Sequence, residues 1–203
     1  MSETTPRREA TRQRLIQAAI TEFARHGIDA TSVEQISEAA GFTRGAFYSN
    51  FEDKDALILA LLEETHRTTM ARFQADVAKL PEGIQLDDAI RRLLTVKMIS
   101  PEAHTTTLEI RLRGRRDPAL QRRLFTLRQE LRPQFAAVLE AAADRLDLEP
   151  VASVDDLIDI FDALHDASVL WGDDLGQQDS VRLTQLIGLV AQRFTVRREQ
   201  QAG

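Results

Sequence analysis

The segment Thr31 to Asp55, TSVEQISEAAGFTRGAFYSNFEDKD, sets two short helical patterns against each other across a single glycine. Ser32 is placed to cap the first, with Gln35 answering three residues later, and Val33, Ile36 and Ala40 point inward at helical spacing. Gly41 permits the positive φ of a sharp turn, Thr43 caps the second pattern, and Phe42 before that cap can staple onto Phe47. Two helices joined by a tight glycine turn are therefore expected here.

Helical periodicity continues on both sides. From roughly Glu9 to His26, Leu15, Ala19 and Phe23 fall four apart beside Ile16, Ile20 and Ala24, and Gly27 supplies a left-handed stop. From about Asp55 to Lys79, Leu59, Leu62, Met70, Phe73, Val77 and Leu80 mark one long amphipathic helix. Shorter patterns follow at roughly Asp87 to Ser100 and Glu102 to Arg113. Asp117-Pro118 then opens a stretch with Leu120, Leu124, Leu127, Leu131, Val138 and Ala142 on one face, which Pro133 should bend or break. Ser153 followed by Asp156 imitates a capping box and starts a helix to about Trp171; a last one runs roughly Ser180 to Arg198. The expectation is an all-α chain of about nine helices and no convincing strand. Nine glycines and six prolines in 203 residues agree with it.

No cysteine is present, which excludes disulfide scaffolds, thiolate metal sites and cysteine nucleophiles. The first residues hold no apolar core followed by a cleavage site, and no run approaches the ~18 apolar residues of a membrane helix. A cytoplasmic protein, neither secreted nor embedded in a membrane, is expected.

In a helix-turn-helix the second helix enters the DNA major groove by its N-terminal residues, so that end should carry hydrogen-bond donors and little bulk. Thr43-Arg44-Gly45-Ala46 fits: Arg44 can address a guanine edge, Ala46 a thymine methyl, and Gly45 removes a side chain where backbone and DNA approach. Tyr48 and Ser49 can reach flanking phosphates. Lys54 places a cation at the positive end of the next helix dipole, which a docked phosphate would turn to advantage.

The sequence here resembles the TetR family of bacterial transcriptional regulators, in the helix ending FARHGIDATS, in VEQISEAAGFTRGAFYSNF and in EDKDALI, over roughly residues 10 to 60. The resemblance implies an all-α homodimer. Residues 1–54 would be a three-helix DNA-binding head, and residues 55–203 a helical domain that pairs subunits and often holds a small-molecule effector. It further implies a ligand-responsive repressor on a near-palindromic operator, with no cofactor. Ser32, Thr43, Arg44, Gly45, Ala46, Tyr48 and Lys54 occupy the family's base- and phosphate-contacting places, and Phe47 and Phe51 its packing places. Two departures stand out: Ser49-Asn50 where relatives often have tyrosine then histidine, and Phe47 for a common leucine.

Charge needs an answer, because the whole chain carries a formal −6 and residues 1–56 hold more acids than bases. The reading places Glu34 and Glu38 away from the recognition end and lets Arg7, Arg8, Arg12 and Arg14 flank the groove, giving a narrow contact patch.

Beyond residue 57 the signal thins. His66 shares a helical face with Leu62, Phe73 and Val77 and reads first as a hydrogen-bonded core histidine, second as a pocket or switch residue. Met70, Met98, Phe125 and Trp171 are candidates, with His66, for an effector cavity. Asp155, Asp159, Asp162 and Asp166 form a charged stripe that could answer Arg111, Arg113, Arg115, Arg116, Arg122 and Arg123. The apolar side of the same helix, with Phe161, would then join Leu183, Ile187, Val190 and Phe194 in a dimer bundle.

Two other classes remain open from sequence. Glu63 with His66 and Asp162 with His165 place a carboxylate and an imidazole three apart, as carboxylate-bridged metal enzymes do, with Glu109 as a further ligand. A non-transcriptional DNA-binding adaptor of the same fold is the other.

Overall fold

The computed structural model describes residues 6–95, 100–175 and 177–197. Among them nine helices form: α1 (Pro6–His26), α2 (Val33–Ala39), α3 (Arg44–Tyr48), α4 (Lys54–Ala78), α5 (Leu86–Thr95), α6 (Pro101–Arg116), α7 (Pro118–Arg145), α8 (Val154–Leu175) and α9 (Gln177–Phe194). Two three-residue strands, β1 (Leu148–Pro150) and β2 (Thr195–Arg197), pair antiparallel, which corrects the strand-free reading. Segments this short carry no period to read, and the ribbon exists only because its strands meet across nearly fifty residues. The pattern placed the last helix to Arg198, whereas α9 ends at Phe194 and the chain extends into β2.

Pro133 does not break α7, which runs unbroken from Pro118 to Arg145. A proline forfeits one intrahelical hydrogen bond, and the apolar positions on both sides, with Leu120, Leu127 and Val138 buried, hold the helix through the gap.

By contacts the chain forms two compact units, Met1–Arg67 with Ile99–Glu130, and Thr68–Met98 with Leu131–Gly203. In the first, α1 packs on α2 and α6, and α2 on α3. Leu15, Ala19 and Phe23 of α1 meet Ile36, Phe47, Phe51, Leu57, Leu61 and Ile110 in one buried cluster. Fully burying a side chain of this size stabilises by about 1.5–3 kcal/mol, so this cluster is what makes the two shortest helices persist.

In the second unit α8 and α9 pack together, α5 lies on α9, and Val77, Leu80, Ala89, Leu93 and Ala142 form a smaller core. Ser153 caps α8, accepting from the Asp156 amide at 3.1 Å while its hydroxyl donates to the Asp156 carboxylate at 2.5 Å. The acidic stripe of α8 is answered by Arg132 of α7. Its guanidinium reaches the carboxylate of Asp155, that of Asp159 at 2.8 Å and the Asp155 carbonyl at 2.6 Å. Two of the expected partners are engaged elsewhere: Arg113 pairs with Asp29 and Asp55, and Arg123 with Asp53.

Arg132 is the half-buried member of that cluster while both aspartates face water, so its loss removes the contacts without stranding a buried charge. Arg132→Met should lower the urea unfolding midpoint by the equivalent of about 1–2 kcal/mol with an unchanged slope. An unaltered midpoint would show that the clamp adds nothing to stability.

Candidate nucleic-acid interface

The geometry of α2 and α3 follows from caps and one turn. Ser32 Oγ accepts from the Gln35 amide at 3.2 Å and Gln35 Oε1 accepts from the Ser32 amide at 2.7 Å, a complete reciprocal cap. Gly41 adopts φ +73°, a left-handed conformation that favours glycine, and a Cβ there would also press on the movable end of Arg14, 2.9 Å away. Thr43 Oγ1 then accepts from the Ala46 amide at 3.3 Å and starts α3.

Of the five residues of α3 only Phe47 is buried. Thr43, Arg44 and Gly45 are exposed, Ala46 is half-buried, and Tyr48 is 47% exposed with its ring edge-on to Phe47. The leading turn of the second helix is thus presented to solvent on a buried aromatic anchor. Among the described residues nothing approaches Gly45 closely: a Cβ there would meet only Thr43 Oγ1, at an ordinary 3.7 Å. A glycine inside a helix costs about 1 kcal/mol relative to alanine, and no internal packing demands this one.

The arginines of α1 do not simply flank this turn. Arg14 Nη2 donates to the Ala40 carbonyl at 2.8 Å and its guanidinium covers the Phe42 ring at 4.6 Å. Arg12 lies over Phe51 at 4.9 Å, and Arg8 Nη2 donates to the Ser49 carbonyl at 3.0 Å. Three of the four cations read as groove-flanking therefore lash α1 to the helix-turn-helix. Ser49 Oγ donates to the Gly45 carbonyl at 2.9 Å and Asn50 Nδ2 to the Ala46 carbonyl at 2.8 Å, so both residues of the Ser49-Asn50 departure close the end of α3.

Lys54 has an internal task as well. Its Nζ donates to the carbonyls of Ile28 at 2.8 Å and Thr31 at 3.1 Å, while Glu109 Oε1 accepts from the Ile28 amide at 2.6 Å. Burial, then the neighbouring Arg113, lowers the Lys54 pKa. The unfavourable position at the helix dipole is thus offset by two carbonyl oxygens of the α1–α2 connection.

Contrary to the expectation from sequence, Glu34 does not stand away from the recognition end: its Oε1 lies 2.6 Å from Arg44 Nη1. Arg44 Nη2 also donates to the Tyr48 hydroxyl at 3.4 Å, and hydrogen bonding to Tyr48, with the Glu34 charge second, raises the Arg44 pKa. The two residues stand ten apart on different helices, so no spacing rule announces the contact; only the Gly41 turn creates it.

Residues 15–61 match the model described as bacterial regulatory proteins, tetR family. These residues belong to that family. The chain is 30% identical over 115 residues to the HTH-type transcriptional repressor AcnR of Corynebacterium diphtheriae, covering 55% of this chain and 54% of the relative. It is 42% identical over 60 residues to the HTH-type transcriptional regulator TtgR of Pseudomonas putida, covering 30% and 29%. The chain thus spans about half or less of the length of these relatives. The fold is shared more widely: the transcriptional regulator FadR from Bacillus subtilis, solved in complex with stearoyl-CoA, superposes with a TM-score of 0.65 at 17% identity over 88% of this chain and 96% of its own.

The remaining candidates are placed as follows. His66 is half-buried and Met70 buried on α4, whereas Phe125 on α7 is 61% exposed; Met98 lies outside the described residues, as does the side chain of Trp171. The open clefts of about 320 Å³ (Leu59, Glu63, Arg122, Arg123, Thr126, Leu127 and Glu130) and about 660 Å³ on the first unit include none of the five. Ile187 is buried, Phe161, Val190 and Phe194 are half-buried, and the side chain of Leu183 lies outside the described residues. Glu63 sits 3.9 Å from Arg12, and Glu109 is held by Ile28. Among the described residues no three histidine or carboxylate groups converge. Also among them, no helix is long and apolar enough to cross a membrane.

If Lys54 chiefly holds the α1–α2 connection, Lys54→Met should lower the thermal midpoint by the equivalent of about 1–3 kcal/mol. A lysine that serves phosphate alone would leave the midpoint unmoved and reduce the salt slope of DNA binding by about one.

Proposed function

We propose that the protein is a sequence-specific DNA-binding transcriptional regulator, a ligand-responsive repressor that binds a near-palindromic operator as a homodimer in the cytoplasm. In this reading residues 1–54 are the head, and residues 55–203 the pairing and effector-binding body. The observation that carries it is the solvent-facing leading turn of α3, Thr43 to Ala46, with a glycine that no contact among the described residues requires. A duplex pressed against that turn supplies the missing reason for Gly45, leaves the Ala46 methyl to a thymine and gives Arg44 a guanine edge. Ser32, Thr43, Tyr48, Ser49 and Lys54 contribute phosphate contacts around it, the exposed hydroxyls most directly.

Dimerisation is supported by the apolar residues of α9. Leu186 is 39% and Leu189 62% exposed, beside Ile187, Val190 and Phe194, and a second copy bringing the same helix and Phe161 of α8 would cover them. Effector binding rests on likeness alone: FadR, of the same fold, was solved with stearoyl-CoA. His66, Met70, Met98, Phe125 and Trp171 remain the candidate lining for an effector of unidentified chemistry.

The test begins with the full chain and a randomised duplex pool. A near-palindrome should be enriched, and sedimentation at micromolar concentration should show a dimer; a monomer that enriches nothing would refute the reading. On the enriched site Arg44→Ala should cost at least about 1 kcal/mol while barely changing non-specific binding. Equal losses on both would remove Arg44 from base reading. Gly45→Ala should raise the thermal midpoint by the equivalent of up to about 1 kcal/mol yet weaken operator binding, and retained affinity would deny the close approach.

A further inference from the structure

The ion pair between Glu34 and Arg44 lies in the middle of the surface assigned above to DNA, and the inference drawn from it rests on that assignment. Glu34 stands in the first turn of α2 and Arg44 at the first position of α3; their side chains are 53% and 62% exposed. Their 2.6 Å contact takes up Nη1 of the guanidinium. On its other side Nη2 reaches the Tyr48 hydroxyl at 3.4 Å, and the guanidinium carbon stands 5.4 Å from the Tyr48 ring centre. Arg44 is therefore held from both sides, by a carboxylate from α2 and a phenol one turn along α3, although neither neighbour is buried.

A guanidinium carries five N–H donors in a planar fork, so engagement by Glu34 and Tyr48 leaves donors to spare, enough for the two acceptors of a guanine edge. What the carboxylate changes is the comparison between acceptors. An unpaired arginine on a recognition helix is drawn to the nearest phosphate, and phosphates are present at every step of every duplex. With Glu34 in contact, an approaching phosphate meets an anion as well as the cation, whereas the neutral edge of guanine meets no such opposition. The same carboxylate holds the fork against rotation toward the backbone.

We propose that Glu34 is a specificity-determining residue of the DNA interface, which positions Arg44 for a guanine and discourages its capture by phosphate. Its role is indirect: Arg44 touches the base, and Glu34 decides what Arg44 can touch. This accounts for an acid on the surface that must meet a polyanion.

The experiment uses the full chain and the randomised duplex pool. The wild type should enrich a guanine at one position of each half-site, by roughly tenfold or more over other bases, and Arg44→Ala identifies which position that is. Glu34→Gln should reduce the preference at that same position to about threefold or less while tightening binding to unrelated duplex severalfold. Glu34→Asp keeps the charge but withdraws it by one methylene. It should lose preference at that position with little change on unrelated duplex. Matching thermal midpoints show that the variants are folded, and the position-specific readout separates positioning from a general loss of stability. The proposal is overturned if Glu34→Gln keeps the guanine preference, or if it loses preference equally at every position. A wild-type chain that enriches no sequence overturns the DNA-binding reading itself and this inference with it.

Discussion

Everything the recognition surface can do depends on the burial of Phe47. A five-residue helix has no independent stability, because the cost of its first turn is never recovered by so few hydrogen bonds. Phe47, wholly buried among Leu15, Ile36, Phe51 and Leu57, supplies what the backbone lacks, and it fixes the direction in which Arg44, Gly45 and Tyr48 must face. The caps at Ser32 and Thr43 and the left-handed Gly41 are local fittings around that anchor. None would hold the leading turn in place without it.

The second layer of support is ionic, and it bears on how an acidic chain could offer the proposed surface to DNA. Arg8, Arg12, Arg14, Lys54 and Arg113 all face carbonyls, carboxylates or aromatic rings within their own unit. Bases and acids are equal in number across Met1–Arg67 and Ile99–Glu130, so the whole formal charge of −6 belongs to the other unit. The arginines of α6 and the start of α7 achieve this balance, since residues 1–56 alone are net acidic. A neutral unit gains little long-range attraction to any duplex, which would shift the burden of recognition onto short-range contacts.

Much of this was legible in the sequence, and the reasons are physical. Caps, the glycine turn and amphipathic spacing act within four residues, so Ser32 with Gln35, Thr43, Gly27 and Gly41 could be read directly, and the apolar period gave the helices. What could not be read was contact across the turn or between helices. Glu34 meets Arg44, Lys54 meets the Ile28 and Thr31 carbonyls, Glu109 meets the Ile28 amide, and Arg132 meets Asp155 and Asp159. Each joins residues with no periodic relation, and each involves a charge whose alternative partners were numerous. The β1–β2 pair escaped for the same reason: three-residue strands have no pattern of their own. The body remains the least readable part, because a face that packs internally and a face that awaits a second copy are written in the same apolar residues.

The division of labour in the head has a consequence for how such a surface can change. Inward positions of α3 are tied to the core through Phe47, and its C-terminal end is closed by Ser49 and Asn50 bonding back to the carbonyls of Gly45 and Ala46. Thr43 alone among the leading residues serves the fold with its side chain, through a cap worth about 1 kcal/mol. Arg44, Gly45 and Glu34 face solvent, and exposed ion pairs contribute little to stability. These three positions can therefore be exchanged at small cost to folding, while each exchange alters donors, reach or charge at the surface proposed to meet a base pair. If those side chains carry the readout as proposed, a scaffold held by main-chain and aromatic contacts is free to acquire a different target sequence without first finding a different structure.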